Sequence, residues 1–157
     1  MRFLKSTLSC LAFLFLGQAY AGTAPGYGPD IQLQDAKRIA AEAAHEADRM
    51  QLNVAIAIVD TAGHLVYFEK ADDTQAASVE VAIAKARSAS NFRRATKVFE
   101  EAVLSGRTSI LGLPGAVPVE GGVPIVRSGK IIGALGISGA TSAEDGQIAS
   151  AGLAALK

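Results

Sequence analysis

Side chains able to do chemistry are scarce in this chain. Of 157 residues, two are histidine and one is cysteine. No His-x-x-x-His pair, Cys-x-x-Cys pair or nucleophile elbow occurs, so metal-dependent hydrolysis and acyl transfer lack their parts. The charged residues best placed for a ligand are Lys85 and Arg87 in one apolar-periodic segment, Glu120 ahead of Gly121, Gly122 and Pro124, and Arg127. Gathered at one end of a sheet, they would clamp an anion. Glu120 would act as a proton-transfer base if buried, and is an ordinary solvated loop acid if not. Adjacent glycines before a proline read in two ways: as a backbone wall for a ligand or partner subunit, or as a close approach of the chain to itself.

The histidines are no easier to assign a task. His45 falls off the apolar stripe of its segment and keeps company with Arg38, Glu42 and Arg49, the setting of a solvated side chain unless that outer face forms an interface. His64 follows Gly63 in a turn, where polar residues are ordinary. Met50 fits a core stripe and Tyr67 the middle of a strand, both packing positions. Gly133, Gly136 and Gly139 have the wrong spacing for a dinucleotide fingerprint. The 18 residues after Gly139 leave no room for the second strand and acidic ribose contact. Gly133 and Gly136 read instead as points where a helix or another subunit comes close to a strand.

These residues depend on the elements that hold them. From Leu33 to Gln51, Ala36, Ile39, Ala40, Ala43, Ala47 and Met50 recur at spacings of three and four, the stripe of a helix on a flat neighbour. "NVAIAIVD" reads as a strand buried on both faces, "TAGH" as a turn and "LVYFEK" as the returning strand. Val79, Ala82, Ile83, Ala86, Ala89 and Phe92 mark a second helix, and Thr96 to Leu104 a short third. Three short strands follow, near Val117 to Glu120, Val123 to Arg127 and Lys130 to Ser138, with "RSGK" as the last hairpin. Thr141 and Glu144 form a capping box for a closing helix. The order predicts an α+β domain whose five-stranded, mainly antiparallel sheet is joined by hairpins and covered by helices.

The first 21 residues have a basic head (Arg2, Lys5), an apolar run from Leu8 to Leu16 and a small-residue end at Ala19-Tyr20-Ala21. They read as a secretory signal peptide cleaved after Ala21, placing the protein in the periplasm or outside the cell. Cys10 sits at the start of the apolar run, whereas a lipid-modified cysteine follows it. The run is too short to span a bilayer, so no membrane anchor is expected after cleavage. Cleavage removes two of 15 basic residues, none of 15 acidic ones and the only cysteine. The mature chain, near −2, has no basic stripe for nucleic acid and no disulfide. Residues 22–30 read as a flexible N-terminus and 31–157 as one domain.

"GGVPI", "GKIIGALGISGATSAEDGQIASAGLAAL", "VAIAIVDTAGHLV" and "AKARSA" together resemble the GlcG/HbpS family of haem-binding-like domains, also found as the C-terminal domain of PduO-type proteins. The resemblance covers nearly the whole mature chain. It implies a profilin-like or PAS-like domain, homo-oligomers, and haem as the cofactor, either bound or taken through breakdown. One departure is "EKADDT", with Asp73 where relatives commonly carry glycine. Haem iron takes an axial side chain, most often histidine, which leaves His45 and His64. A helical residue costs less entropy to fix than one at a hairpin tip, which favours His45. Alanine-rich helix faces and glycine-rich strands also suit subunit packing. The leading expectation is therefore an exported, oligomeric haem (tetrapyrrole)-binding protein without strong catalysis of its own. The alternatives are an enzyme of a small polar metabolite, glycolate-linked by analogy, with Lys85, Glu120 and Arg127 around the double glycine, and a protein-interaction or sensory module.

Overall fold

Alanine and glycine set how closely the layers meet. The computed structural model describes residues 24–156, and the leader expected over residues 1–21 lies outside them. Helix α1 (Leu33–Met50) is followed by β1 (Ala55–Val59), β2 (Leu65–Lys70), α2 (Ser78–Phe92) and α3 (Lys97–Leu104). After a 3-10 turn at Thr108–Gly112 come β3 (Gly122–Arg127), β4 (Lys130–Ser138), α4 (Ser142–Leu153) and a last 3-10 turn. The strands form one antiparallel sheet in the order β2-β1-β4-β3. The α+β class and antiparallel sheet match the expectation.

Strand β1 is buried on both faces because both are covered. Its Ile56 and Ile58 join Ile39, Ala43, Leu135 and Ile148 in a core beneath α1 and α4. Its Ala55, Ala57 and Val59 meet Ala82, Ala86 and Ala89 of α2 on the other side. The sheet is thus the middle of three layers. Gly136 shows how tight the α2 layer is: a Cβ there would stand 2.1 Å from the Ala82 carbonyl oxygen and 2.6 Å from the Ala86 nitrogen. The capping box forms as read, with the Thr141 hydroxyl accepting from the Glu144 N–H while the Glu144 carboxylate accepts from the Thr141 N–H.

Two expectations are corrected. Among the described residues four strands form rather than five, because Val117 to Glu120 makes no ladder. Its donors go elsewhere: the Val117 N–H bonds to the Ser88 hydroxyl and the Glu120 N–H to the Glu100 carboxylate, while Pro118 has no N–H to give. The arm expected to be flexible over residues 22–30 is docked over its described part. Ile131 donates to Gly26, Gly28 donates back to Ile131, and the Tyr27 hydroxyl donates to the Ser90 carbonyl at 2.9 Å. Part of β4 extends beyond β1, and the arm occupies that uncovered side.

Asp73 has φ +61°, the left-handed conformation that glycine adopts most freely. Asp is among the few other residues that tolerate it, so the turn keeps its shape without the glycine.

Because the atoms facing Gly136 belong to the α2 backbone, no side-chain rotation relieves a methyl there. Gly136→Ala should cost about 3 kcal/mol in urea denaturation. Gly112→Ala, with nothing within 4 Å of its Cβ position, should stay near wild type. Equal stability of the two variants would refute the close helix-sheet contact.

Candidate functional site

Gly121 precedes β3 and Gly122 opens it where α2, β4 and α4 converge, and both are buried. Gly121 has φ +124°, and a Cβ on it would come within 2.9 Å of the Lys85 ammonium and of Asp145 Cβ. A Cβ on Gly122 would stand 2.4 Å from the Lys85 carbonyl. The space these glycines open is filled by the chain itself, so the close-approach reading of the double glycine is the one realised. Thr96 fixes the strand to the helix end, its N–H donating to the Gly122 carbonyl and its hydroxyl accepting from the Gly122 N–H, both at 2.9 Å.

Lys85 reaches under this wall. Its ammonium, 1% exposed, donates to Asp145 Oδ2 at 2.7 Å and to the Ile137 carbonyl at 3.0 Å. The Asp145 carboxylate, equally buried, also accepts from the Ala140 N–H. Burial pushes the Asp145 carboxyl above its usual value, and the Lys85 ammonium and Ala140 N–H oppose that shift. Every buried side-chain polar atom among the described residues finds a partner. A buried charge pair so satisfied holds α2, β4 and α4 in one arrangement and leaves no free group to act on a substrate.

The other residues expected here disperse. Glu120 pairs with Lys97 at 3.0 Å and lies across Gly146, where a Cβ would meet its carboxylate at 2.2 Å. Lys97 is raised in pKa by that hydrogen bond. Arg87 donates to the Gly63 carbonyl, and Arg127 pairs with Asp35 of α1 at 2.8 Å. Arg127 is five strand residues beyond Gly122, roughly 16 Å along β3. The anion clamp of Lys85, Arg87, Glu120 and Arg127 therefore does not assemble. Pro124 is on β3, an outer strand, where a residue without an N–H is tolerated, and it pairs with Ala134 of β4.

Both histidines are exposed. His45 lies on the outer face of α1, and its side chain makes no hydrogen bond among the described residues. His64 is held: its Nδ1 is 3.2 Å from Asp60 Oδ2, and its N–H donates to Asp60 Oδ1 at 2.8 Å. Asp60 also receives the Ala62 N–H, so this turn is braced by one carboxylate.

The sequence reading missed two features. Asp145, Thr96 and Ser88 are buried polar partners of the α2 region; the signal was Ser78, Lys85 and Ser88 placed among the helix's alanines. The second is an open cleft of about 180 Å³ between the end of α2, α3 and the 3-10 turn. Phe92 and Phe99 meet edge to face in it, with ring centroids 5.1 Å apart, and Arg94 and Arg107 line it. A second cleft of similar size lies between α1 and the β1-β2 end, with Asp48, Glu69 and Lys70 in its wall.

The chain is of the α+β class, with a central antiparallel sheet as the middle of three layers. Residues 31–154 match the family model described as "Haem degrading protein HbpS-like", and the chain belongs to that family. GlcG of Escherichia coli is 42% identical over 108 residues, 69% of this chain and 81% of GlcG. Among solved structures, PduOC in complex with haem superposes with a TM-score of 0.73 at 30% identity, covering 82% of this chain and 96% of PduOC. HbpS superposes at 0.76 with 27% identity, covering 83% and 92%.

Removing one partner of the buried pair leaves the other charge alone, so Lys85→Met should cost on the order of 3 kcal/mol at pH 7 in urea denaturation. Without the ammonium the Asp145 carboxyl is raised further, its folded value lying above the unfolded 3.8. Stability tied to such a group is full below pH 3.8 and falls as pH rises through the folded value, so the deficit should shrink on acidification. Lys85→Met/Asp145→Asn should recover part of the loss at pH 7. A single variant within 1 kcal/mol of wild type would show the pair to be dispensable.

Proposed function

We propose that the chain is an exported, oligomeric haem-binding protein. One observation carries the reading: PduOC, 30% identical and alike in fold over 82% of this chain, is a haem complex. The family's description in terms of haem degradation agrees with it. Haem asks for an apolar surface for its ring, cations for its two propionates and an axial side chain for its iron. This chain has exposed apolar and cationic side chains around α3 and two exposed histidines to meet those needs.

Of the histidines, the geometry favours His64 over the His45 expected from the sequence. The entropy argument against a turn residue loses its force once Asp60 braces the turn. A carboxylate on Nδ1 also orients the ring and leaves Nε2 for a metal. For oligomers, the support is apolar: Leu104 and Val119 are exposed and do not line the cleft beside α3. For export, it is the leader sequence.

Titrating the purified protein with haemin should give a saturable, shifted Soret band. His64→Ala should weaken binding and move the band, and His45→Ala should do less; the reverse order would restore the sequence preference. If the double variant binds like wild type, histidine ligation is wrong. If wild type itself gives no saturable change, the haem reading is wrong. A second reading, that bound haem is consumed, follows from the family description and would show as a Soret band that decays after saturation. Separately, protein recovered from an exporting bacterium should begin at Gly22 by mass spectrometry and scatter light as at least a dimer at micromolar concentration. An intact Met1 on the exported protein, or a monomer, would overturn the respective claim.

A further inference from the structure

The geometry points to the cleft beside α3 as the seat for the propionate-bearing edge of a porphyrin, with Arg94 and Arg107 as the two carboxylate partners. The inference rests on the haem reading and adds a place and a charge requirement to it. Arg38, Arg49 and Arg127 are paired with carboxylates, whereas Arg87, Arg93, Arg94 and Arg107 are not, and of these four Arg94 and Arg107 share one cleft. Arg94 spends its Nε on the Phe92 carbonyl at 3.1 Å and rests its guanidinium 5.8 Å from the Phe99 ring. Arg107 makes no side-chain hydrogen bond among the described residues. Both line one cleft whose remaining wall is apolar, including Phe92, Phe99 and Leu113.

Two guanidiniums without a carboxylate partner on an apolar cleft fit a ligand with a flat apolar body and two anionic groups on one side. An inorganic anion would use the arginines and leave the phenyl rings idle, and a neutral apolar ligand would do the reverse. The cleft's 180 Å³ takes an edge of such a body rather than the whole of it. The remainder can lie over the neighbouring exposed Val98 and Leu111. Neither histidine lines this cleft, so a nitrogen ligand for the iron is supplied from outside it.

A metal-free porphyrin separates the arginines from iron ligation. Binding of protoporphyrin, followed by fluorescence, should weaken about tenfold in each of Arg94→Ala and Arg107→Ala and further in the double variant. Protoporphyrin dimethyl ester, which keeps the ring and loses both negative charges, should bind wild type and the double variant alike and more weakly than the diacid. Circular dichroism of each variant checks folding, and the ester comparison on wild type needs no variant at all. The proposal is overturned if the ester binds wild type as tightly as the diacid, or if a folded double variant binds the diacid like wild type. Those outcomes leave haem binding standing when haemin still gives its saturable Soret band. Failure of wild type to bind haemin and protoporphyrin alike would remove both readings.

Discussion

Helix α2 lies so close to β4 that a single methyl group on Gly136 would overlap the carbonyl of Ala82. Contact at that range needs small residues on both surfaces. Ala82, Ala86 and Ala89 supply them on the helix, and Ala55, Ala57, Ala134 and Gly136 on the sheet. Alanine buries little area per residue, so this layer gains by close dispersion contact rather than by large apolar side chains. The bulk sits on the opposite face, where isoleucines from β1, β3 and β4 meet α1 and α4. The two faces of the sheet are therefore held by different means.

The same proximity decides the fate of the polar groups. With α2 pressed on the sheet, Lys85 cannot reach solvent and must find its partners within, which Asp145 and the Ile137 carbonyl provide. That arrangement fixes the N-terminal turns of α4 against the second helix. Chemistry with an outside ligand is left to the periphery: the braced turn at His64 and the cleft beyond α2's end.

Much of the fold was legible because its periodicities are clean. The alanine stripe of α1, the hairpin of β1 and β2, and the Thr141-Glu144 capping box all follow local rules, and all formed as read. Val117 to Glu120 looked like a strand because valine-rich segments favour extended backbone, but Pro118 and side-chain acceptors on α2 and α3 took its donors away. The anion clamp failed for a reason no linear pattern carries: Arg127 met Asp35, 92 residues distant in sequence. Lys85 could be singled out from sequence, whereas its burial depends on which face of α2 meets the sheet. The cleft with Arg94 and Arg107 left only a faint trace, the apolar Ile110 and Leu113 that follow α3 and belong to no α-helical stripe.

The two outer strands of the sheet are unequal. Strand β3 carries Pro124, which has no N–H to offer, and an irregular register between Ile125 and Val126. Strand β2, on the other side, keeps its donors, and among the described residues no strand pairs with its outer edge. Both a proline and a bulge blunt the templating of a further strand. A sheet blocked on one side can be extended only on the other, so edge-to-edge growth between copies closes after a single pairing. Filaments need two competent edges per subunit. This architecture allows assembly through β2 to end in a closed pair, a limit on aggregation written into the backbone.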